Sequence, residues 1–514
     1  MHSDGRRAPS NRRPRQARAA ARDGLTRVVW NISTRPSIFP PVIRTLAIAL
    51  ALALLMPGTA AAQAGLRDIG RDAATNNHGI LADRAGLDAR TASARAARRA
   101  FAPELELTAD YVSDLPGFAE STRRRRVDYA GGVRWRTPYG SVAEVTASAT
   151  EQLAGTLSGH DATLLFALSQ SLLDGGWRSG AFTQPALADV DAEIQRQLYL
   201  AALNSLLVDV EAAYWELAFA DADLAIKTRS RDRAQVQFEA TQENIRRGLL
   251  AEADIFVVEE NLVFFESQLA RARQARLTAQ RRLARLLAAN TESPYTPADA
   301  LAIDDRLQIP AGPDAVATAI ERNPSLISET LRVRRAQIAL AFEDNRALPQ
   351  LDLRASLALN GLAGADDPTW AQVFAGERVD ARAGVVFSVP LAWDPDRAAV
   401  DRASSDKRAA LERLAETESE VRFSVADLLT ALDTGHERLA LARRLVKLAE
   451  SKLSAEVDKY ENGISTLNDV VRFQRDLDSS LIGARRIEVD LRVTRARLSA
   501  AMGTLHLEYG LEVR

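Results

Sequence analysis

Apolar and polar positions alternate with a period of two in three stretches of this chain. Leu105, Leu107 and Ala109 alternate with Glu104, Glu106, Thr108 and Asp110. Leu164, Phe166 and Leu168 alternate with Ala167, Ser169 and Ser171. Leu351, Leu353, Ala355, Leu357 and Leu359 alternate with Gln350, Asp352, Arg354, Ser356 and Asn360. Each stretch is about ten residues, the length at which a tilted strand crosses a membrane. Trp177 and Trp393 follow the closing strand of each half, where an interfacial aromatic belt sits. Taken singly, each stretch also fits an amphipathic sheet in a soluble domain.

Elsewhere the period is helical. No proline occurs from Ala186 to Ser293 or after Pro395. A continuous helix from Arg178 to Arg247 reaches roughly 105 Å at about 1.5 Å per residue. Near the C-terminus, Val470, Phe473, Leu477, Ser480, Ala484, Ile487, Leu491, Thr494, Leu498 and Ala501 recur in steps of three and four. The same steps run through Ile255, Val258, Leu262, Phe265, Leu269, Ala272, Arg276, Ala279, Leu283 and Leu286, interrupted only by Arg276. Both are heptad seams, which on their own also fit a cytosolic coiled coil.

The chain is written twice. Asn77 and Pro103-Glu104-Leu105-Glu106-Leu107 recur as Asn323 and Pro349-Gln350-Leu351-Asp352-Leu353. Gly248 and Asp254 recur as Gly463 and Asp469, and Leu262 and Leu283 as Leu477 and Leu498. The expected organisation is a basic N-terminus and signal peptide over 1–62, a first repeat over 63–290, a linker over 291–313, a second repeat over 314–505 and a tail over 506–514. Each repeat reads as helix, strands and a long helical hairpin. Two strands per repeat cannot close a barrel, which takes about eight, so four strands per chain must share a barrel with other copies; three copies supply twelve. The stretch Arg123 to Thr150 complicates this count. Val133-Arg134-Trp135-Arg136-Thr137, Pro138-Tyr139-Gly140 and Ser141 to Ala147 read as an additional hairpin, which either lengthens an external loop or adds strands to the wall.

Composition narrows the function. The chain has 66 basic and 68 acidic residues, and arginines crowd its first 44 positions, so the remainder is acidic and nucleic acid is not its expected partner. There is no cysteine, which excludes disulfides, thiolate metal sites and a cysteine nucleophile. Leu46 to Met56 is an apolar run of signal-peptide length, followed by Ala60-Ala61-Ala62 as a cleavage site. Beyond it no apolar run approaches a membrane-spanning helix. His2, His78, His160, His436 and His506 do not stand at metal-ligand spacing, and no nucleophile motif or paired carboxylates stand out. No enzyme activity and no cofactor are expected.

Several segments together resemble the TolC-like outer membrane efflux proteins. Leu168-Ser169-Gln170-Ser171-Leu172-Leu173-Asp174-Gly175-Gly176 and Phe387-Ser388-Val389-Pro390-Leu391-Ala392-Trp393-Asp394 resemble that family's strand-to-helix passage. Ala213-Tyr214-Trp215-Glu216-Leu217 resembles its aromatic signature. Tyr460-Glu461-Asn462-Gly463 with Asp469-Val470, and Arg247-Gly248-Leu249 with Asp254, resemble its paired periplasmic turns. The resemblance spans about 64–505.

It implies an α+β membrane protein: a trimeric transmembrane β-barrel continuous with a long periplasmic α-helical barrel, built from two repeats. It further implies an exit duct of a tripartite efflux pump or type I secretion system in the outer membrane. The implied partners are two further copies, outer-membrane lipid, a periplasmic adaptor and an inner-membrane transporter of the RND, ABC or MFS class. Gly248, Leu249, Gly463 and Ile464 match the adaptor-docking turns. Asp469, Asp254 and Tyr460 match residues of the periplasmic entrance and its gate. Arg472 stands where the family has a second entrance aspartate, and Ser465 where it has a gate arginine. The rival readings are a periplasmic adaptor and a coiled-coil scaffold.

Overall fold

The computed structural model describes residues 62–113, 125–154, 160–289, 295–297, 299, 310–363, 369–389 and 394–512. In chain order they form β1 (Ala62–Ala64), α1 (Leu66–Asn76), α2 (His78–Arg98), β2 (Glu104–Ser113), β3 (Arg125–Arg136), β4 (Ser141–Ala154), β5 (His160–Ser171), α3 (Trp177–Ala181), α4 (Thr183–Arg246), α5 (Asp254–Leu286), β6 (Tyr295–Pro297), α6 (Gly312–Arg322), α7 (Pro324–Arg346), β7 (Gln350–Ala363), α8 (Thr369–Ala375), β8 (Arg378–Ser388), α9 (Asp394–Glu461), α10 (Leu467–Ala501) and α11 (Leu505–Glu508). The expected signal peptide, Trp393 and most of the linker lie outside the described residues. Among the described residues no helix is long and apolar enough to cross a membrane.

The four-strand count is corrected by the sheet. Six strands pair in the order β2-β3-β4-β5-β7-β8, every pairing antiparallel. The additional hairpin belongs to this wall. Its turn, Thr137-Pro138-Tyr139-Gly140, fits a type I turn followed by a left-handed residue: Pro138 presets the backbone, and Gly140 takes φ +84°. Gly140 N–H donates to the Thr137 carbonyl, 3.2 Å away. The turn is bonded to the strand-to-helix passage. Trp177 N–H donates to the Tyr139 carbonyl (3.0 Å), and Ser171 N–H to the Gly140 carbonyl (3.3 Å).

Strand register sorts the side chains into two faces, because alternate residues of a strand point to opposite sides. One face carries Leu107, Tyr129, Val133, Val145, Leu164, Phe166, Leu357 and Val385. The other carries Glu106, Asp128, Arg134, Glu144, Thr163, Asn360 and Asp380, tied by Arg134–Glu144 (3.2 Å) and Asn360 to Asp380 (2.9 Å). Strands of 10 to 14 residues, tilted about 40°, cover roughly 25–35 Å of height, enough for the hydrocarbon layer.

Below the sheet the helices stand in single file. Near the strands, α2 packs on α4, α4 on α7 and α7 on α9; farther away, α5 packs on α4, α4 on α10 and α10 on α9. The 64-residue α4 spans about 96 Å and the 68-residue α9 about 102 Å. Pro185 falls in the first turn of α4, where a missing N–H costs nothing. The heptad seams are buried where expected: Val258, Phe265, Leu269, Ala279 and Leu283 on α5, and Val470, Phe473, Leu477, Leu491 and Leu498 on α10. Arg276, the interruption, reaches Asp221 of α4 at 2.5 Å.

The repeat markers are structural joints. Asn77 caps α2 by accepting from Gly79 and Ile80 N–H, and its amide donates to the Leu286 carbonyl at the end of α5 (2.9 Å). Asn323 caps α7 in the same way and donates to the Ala501 carbonyl at the end of α10 (2.8 Å). The helices that receive these bonds end in matching Schellman turns, closed by Ala289 N–H to the Ala284 carbonyl and Thr504 N–H to the Ser499 carbonyl. The left-handed residue is Gly503 in one (φ +71°) but Ala288 in the other (φ +51°). A Cβ on the left-handed side costs about 1 kcal/mol. Ala288→Gly therefore raises the unfolding temperature of the purified protein. Gly503→Ala lowers it, since its Cβ would meet the Arg322 carbonyl oxygen at 2.2 Å.

Candidate functional site

The far end of the trunk is made by two helix reversals. At the first, Gly248 takes φ +73°; its N–H donates to the Ile245 carbonyl and Leu249 N–H to the Asn244 carbonyl. At the second, Gly463 takes φ +71°; its N–H donates to the Tyr460 carbonyl and Ile464 N–H to the Lys459 carbonyl. Both are Schellman motifs, whose left-handed residue is usually glycine. The apolar residue after that glycine commonly packs back on its own helix. Here Leu249 is 68% exposed and Ile464 78% exposed, so each tip presents an aliphatic side chain to its surroundings. Phe256, in the first turn of α5, is also exposed.

The sequence-derived entrance residues divide into two sets. Asp254, in the first turn of α5, stands close enough to Tyr460, in the last turn of α9, to act on its hydroxyl. The Tyr460 pKa is raised above its ordinary value first by burial and then by the Asp254 charge. These two residues come from different halves of the chain, and the fold brings them together. Asp469 instead serves its own helix. Thr466 caps α10: its hydroxyl accepts from Asp469 N–H and donates to the Asp469 carboxylate at 2.6 Å. Arg472 is exposed, one turn further on, with its guanidinium over the Phe473 ring at 5.1 Å. Ser465 donates to Glu456. Trp177, the other sequence-derived residue that is described, is exposed below β5 and donates its indole N–H to the Leu172 carbonyl (3.2 Å).

Sequence reasoning missed a polar seam that joins the two halves between α4 and α10. Asp478 is 2% exposed and accepts from the Ser230 hydroxyl and from Arg233, 3.2 Å away. Burial pushes its pKa up. Glu216, from the aromatic segment Ala213–Leu217, reaches Arg486 at 2.7 Å. Tyr214 and Trp215 of that segment are core residues whose rings meet edge to face. Arg492 lies over the Trp215 ring at 4.1 Å. Nearer the sheet, Glu211 of α4 accepts from the hydroxyl of Tyr509, which follows α11, at 2.7 Å. Of these, Asp478 is a fully buried charge, and removing one of its partners is costly. Among the described residues no group of three or more His, Asp or Glu is placed to hold a metal ion.

A family model described as outer membrane efflux protein matches residues 69–289 and 315–504. The fold is similar to solved outer-membrane channels. The Campylobacter jejuni CmeC channel superposes with a TM-score of 0.64 at 14% identity, covering 86% of this chain and 86% of that one. The Neisseria gonorrhoeae MtrE channel in its open state gives 0.63 at 15% identity, covering 86% and 89%. The Vibrio cholerae outer membrane protein VceC gives 0.63 at 15% identity, covering 85% and 96%. No curated protein sequence matches the chain.

The polar seam is pH-sensitive. Burial raises the Glu211 pKa from 4.5 to about 7. A carboxyl whose pKa is higher in the folded state holds its proton there after the unfolded chain has released it. Its stabilising contribution is complete below pH 4.5 and is lost as pH rises to about 7. The loss amounts to about 3 kcal/mol. Unfolding temperature measured across that range falls with rising pH, and Glu211→Gln flattens the dependence.

Proposed function

The chain belongs to the outer membrane efflux protein family, and from that premise we propose that three copies assemble into one duct that docks on a periplasmic adaptor. The protein is an outer-membrane efflux channel that extends into the periplasm, and the adaptor and scaffold readings have no support. The family is a transport family, and neither catalysis nor a cofactor is part of the proposed function.

The single observation behind the assembly is the sheet. Among the described residues it has an apolar face, a polar face and two unpaired edges, and it is continuous with single-file helices about 100 Å long. Such a sheet is one sector of a wall. Copies arranged around an axis put the apolar face in lipid and the polar face on a water-filled lumen. Trp177 anchors the periplasmic rim of that wall. The helices carry the lumen across the periplasm toward an inner-membrane transporter of the RND, ABC or MFS class.

Docking is assigned to the two tips. Exposed Leu249 and Ile464, held out by the turns at Gly248 and Gly463, offer aliphatic anchors at matching places in both repeats. A compact apolar residue on a rigid turn loses little entropy when it is buried by a partner. The entrance is assigned to Asp469, with three copies of its carboxylate around the axis attracting cations. Arg472 opposes that field from one turn away. Asp254 and Tyr460 tie the two hairpins of one chain together across the gate.

Two substitutions separate these roles. Leu249→Asp with Ile464→Asp abolishes adaptor cross-linking and efflux in cells while the channel still reaches the outer membrane; retained efflux would refute the docking assignment. Asp469→Asn lowers cation selectivity of the single channel in planar bilayers, and an unchanged reversal potential would refute the entrance assignment.

A further inference from the structure

The edges of the six-stranded sheet are complementary to each other. β2, one edge, points Glu104, Glu106 and Asp110 to the polar face; β8, the other edge, points Arg378, Asp380 and Arg382 there. Glu106 and Asp110 are four residues apart, as are Arg378 and Arg382. An antiparallel pairing that sets Glu106 opposite Arg382 also sets Asp110 opposite Arg378. The same register places Thr108 opposite Asp380, Leu105 opposite Ala383, Leu107 opposite Ala381 and Ala109 opposite Val379. Within the overlap, 104–110 against 378–384, Leu105, Leu107 and Ala109 each meet an apolar residue, and each carboxylate of the two pairs meets a guanidinium.

Direction and connectivity agree. β2 leaves the trunk after α2 and β8 returns to it before α9, so the two edges run opposite ways and can pair between neighbouring copies. α2 and α9 are also the two outer helices of the file beneath the sheet. Farther down, α9 leaves Leu441, Leu445 and Leu448 exposed at heptad spacing, and the opposite outer helix, α5, leaves Phe256 and Val263 exposed. One protomer therefore carries two unlike sheet edges that match each other, the condition for a closed head-to-tail ring.

We propose that β8 of each protomer pairs with β2 of the next in the register Glu106–Arg382 and Asp110–Arg378, and that the resulting barrel has eighteen strands. The count rests on the three-copy assembly proposed above: three copies of six strands. At about 4.8 Å between strands and a tilt of about 40°, such a barrel is roughly 36 Å across its backbone, against roughly 24 Å for twelve strands. Widths within one protomer agree with this. Six strands span roughly 38 Å of wall, and the four helices beneath them roughly 36 Å at about 9 Å between axes. Four strands would span only roughly 25 Å and leave the sheet narrower than the helices that carry it.

The chain has no native cysteine, so disulfide trapping is clean. Directly opposed positions lie within disulfide range, whereas a shift of two residues puts them about 7–8 Å apart, beyond it. Glu106→Cys with Arg382→Cys should give a covalent ladder ending at three chains on oxidation, at least tenfold stronger than Glu104→Cys with Arg382→Cys. A ladder only from the shifted pair would overturn the register. Electron imaging of the unmodified protein in lipid supplies the count independently of any substitution. A threefold barrel of eighteen strands is expected. A threefold barrel of twelve, with the β3–β4 hairpin outside the wall, or a twofold barrel of twelve would overturn it while leaving the duct intact. A particle that does not enter lipid would overturn the duct reading itself.

Discussion

Everything in this chain depends on the need to pair the backbone of a sheet that faces hydrocarbon. Each unpaired N–H or carbonyl in lipid costs several kcal/mol, and a ten-residue edge strand such as β2 leaves about ten such groups on its open side. The penalty for one open edge is therefore tens of kcal/mol, more than the whole stability of an ordinary domain. A sheet of six strands with an apolar outer face cannot meet that condition alone. It is stable in a membrane only as a sector of a closed wall.

The trunk follows from the same constraint. Helices satisfy their own backbone, so the wall can continue as helices once it leaves lipid. The change occurs at the turn around Gly140 and the passage through Gly175 and Trp177, where backbone bonds tie the hairpin to the start of the long helices. Asn77 and Asn323 repeat one joint in both halves, each fixing a helix start to the end of a neighbouring hairpin. Between the halves, buried Asp478 holds α10 against α4, and buried Glu211 of α4 holds Tyr509, just after α11. Rigidity over about 100 Å carries the outer-membrane opening to the tips, where Leu249 and Ile464 are exposed.

Much of this was legible in the sequence because period and repetition survive without knowledge of contacts. Strands β2, β5 and β7, the α5 and α10 seams and the doubled turns at Gly248 and Gly463 all stood out by spacing. The β3–β4 hairpin was visible as a hairpin, but its place in the wall was not. Its apolar face is thinned by Gly131, Ala143, Ala147 and Ala149, so alternation there has little contrast. Asn77 and Asn323 marked the repeat, yet nothing in their spacing disclosed the carbonyls they reach. The polar seam was hidden for a different reason. With 66 basic and 68 acidic residues in the chain, Glu211, Asp478 and Arg486 look like any solvated charge until the fold buries or pairs them. Among the residues proposed for the entrance, Asp254 and Tyr460 converge across the two halves, whereas Asp469 is bonded to the cap of its own helix.

Edge closure is the central claim, and backbone amide exchange of the protein in lipid nanodiscs tests it most directly. If β2 and β8 are paired between copies, their amides exchange as slowly as those of β4 and β5, which are paired within the chain. Fast exchange in β2 and β8, with β4 and β5 still protected, would mean edges held open to water and would contradict the duct.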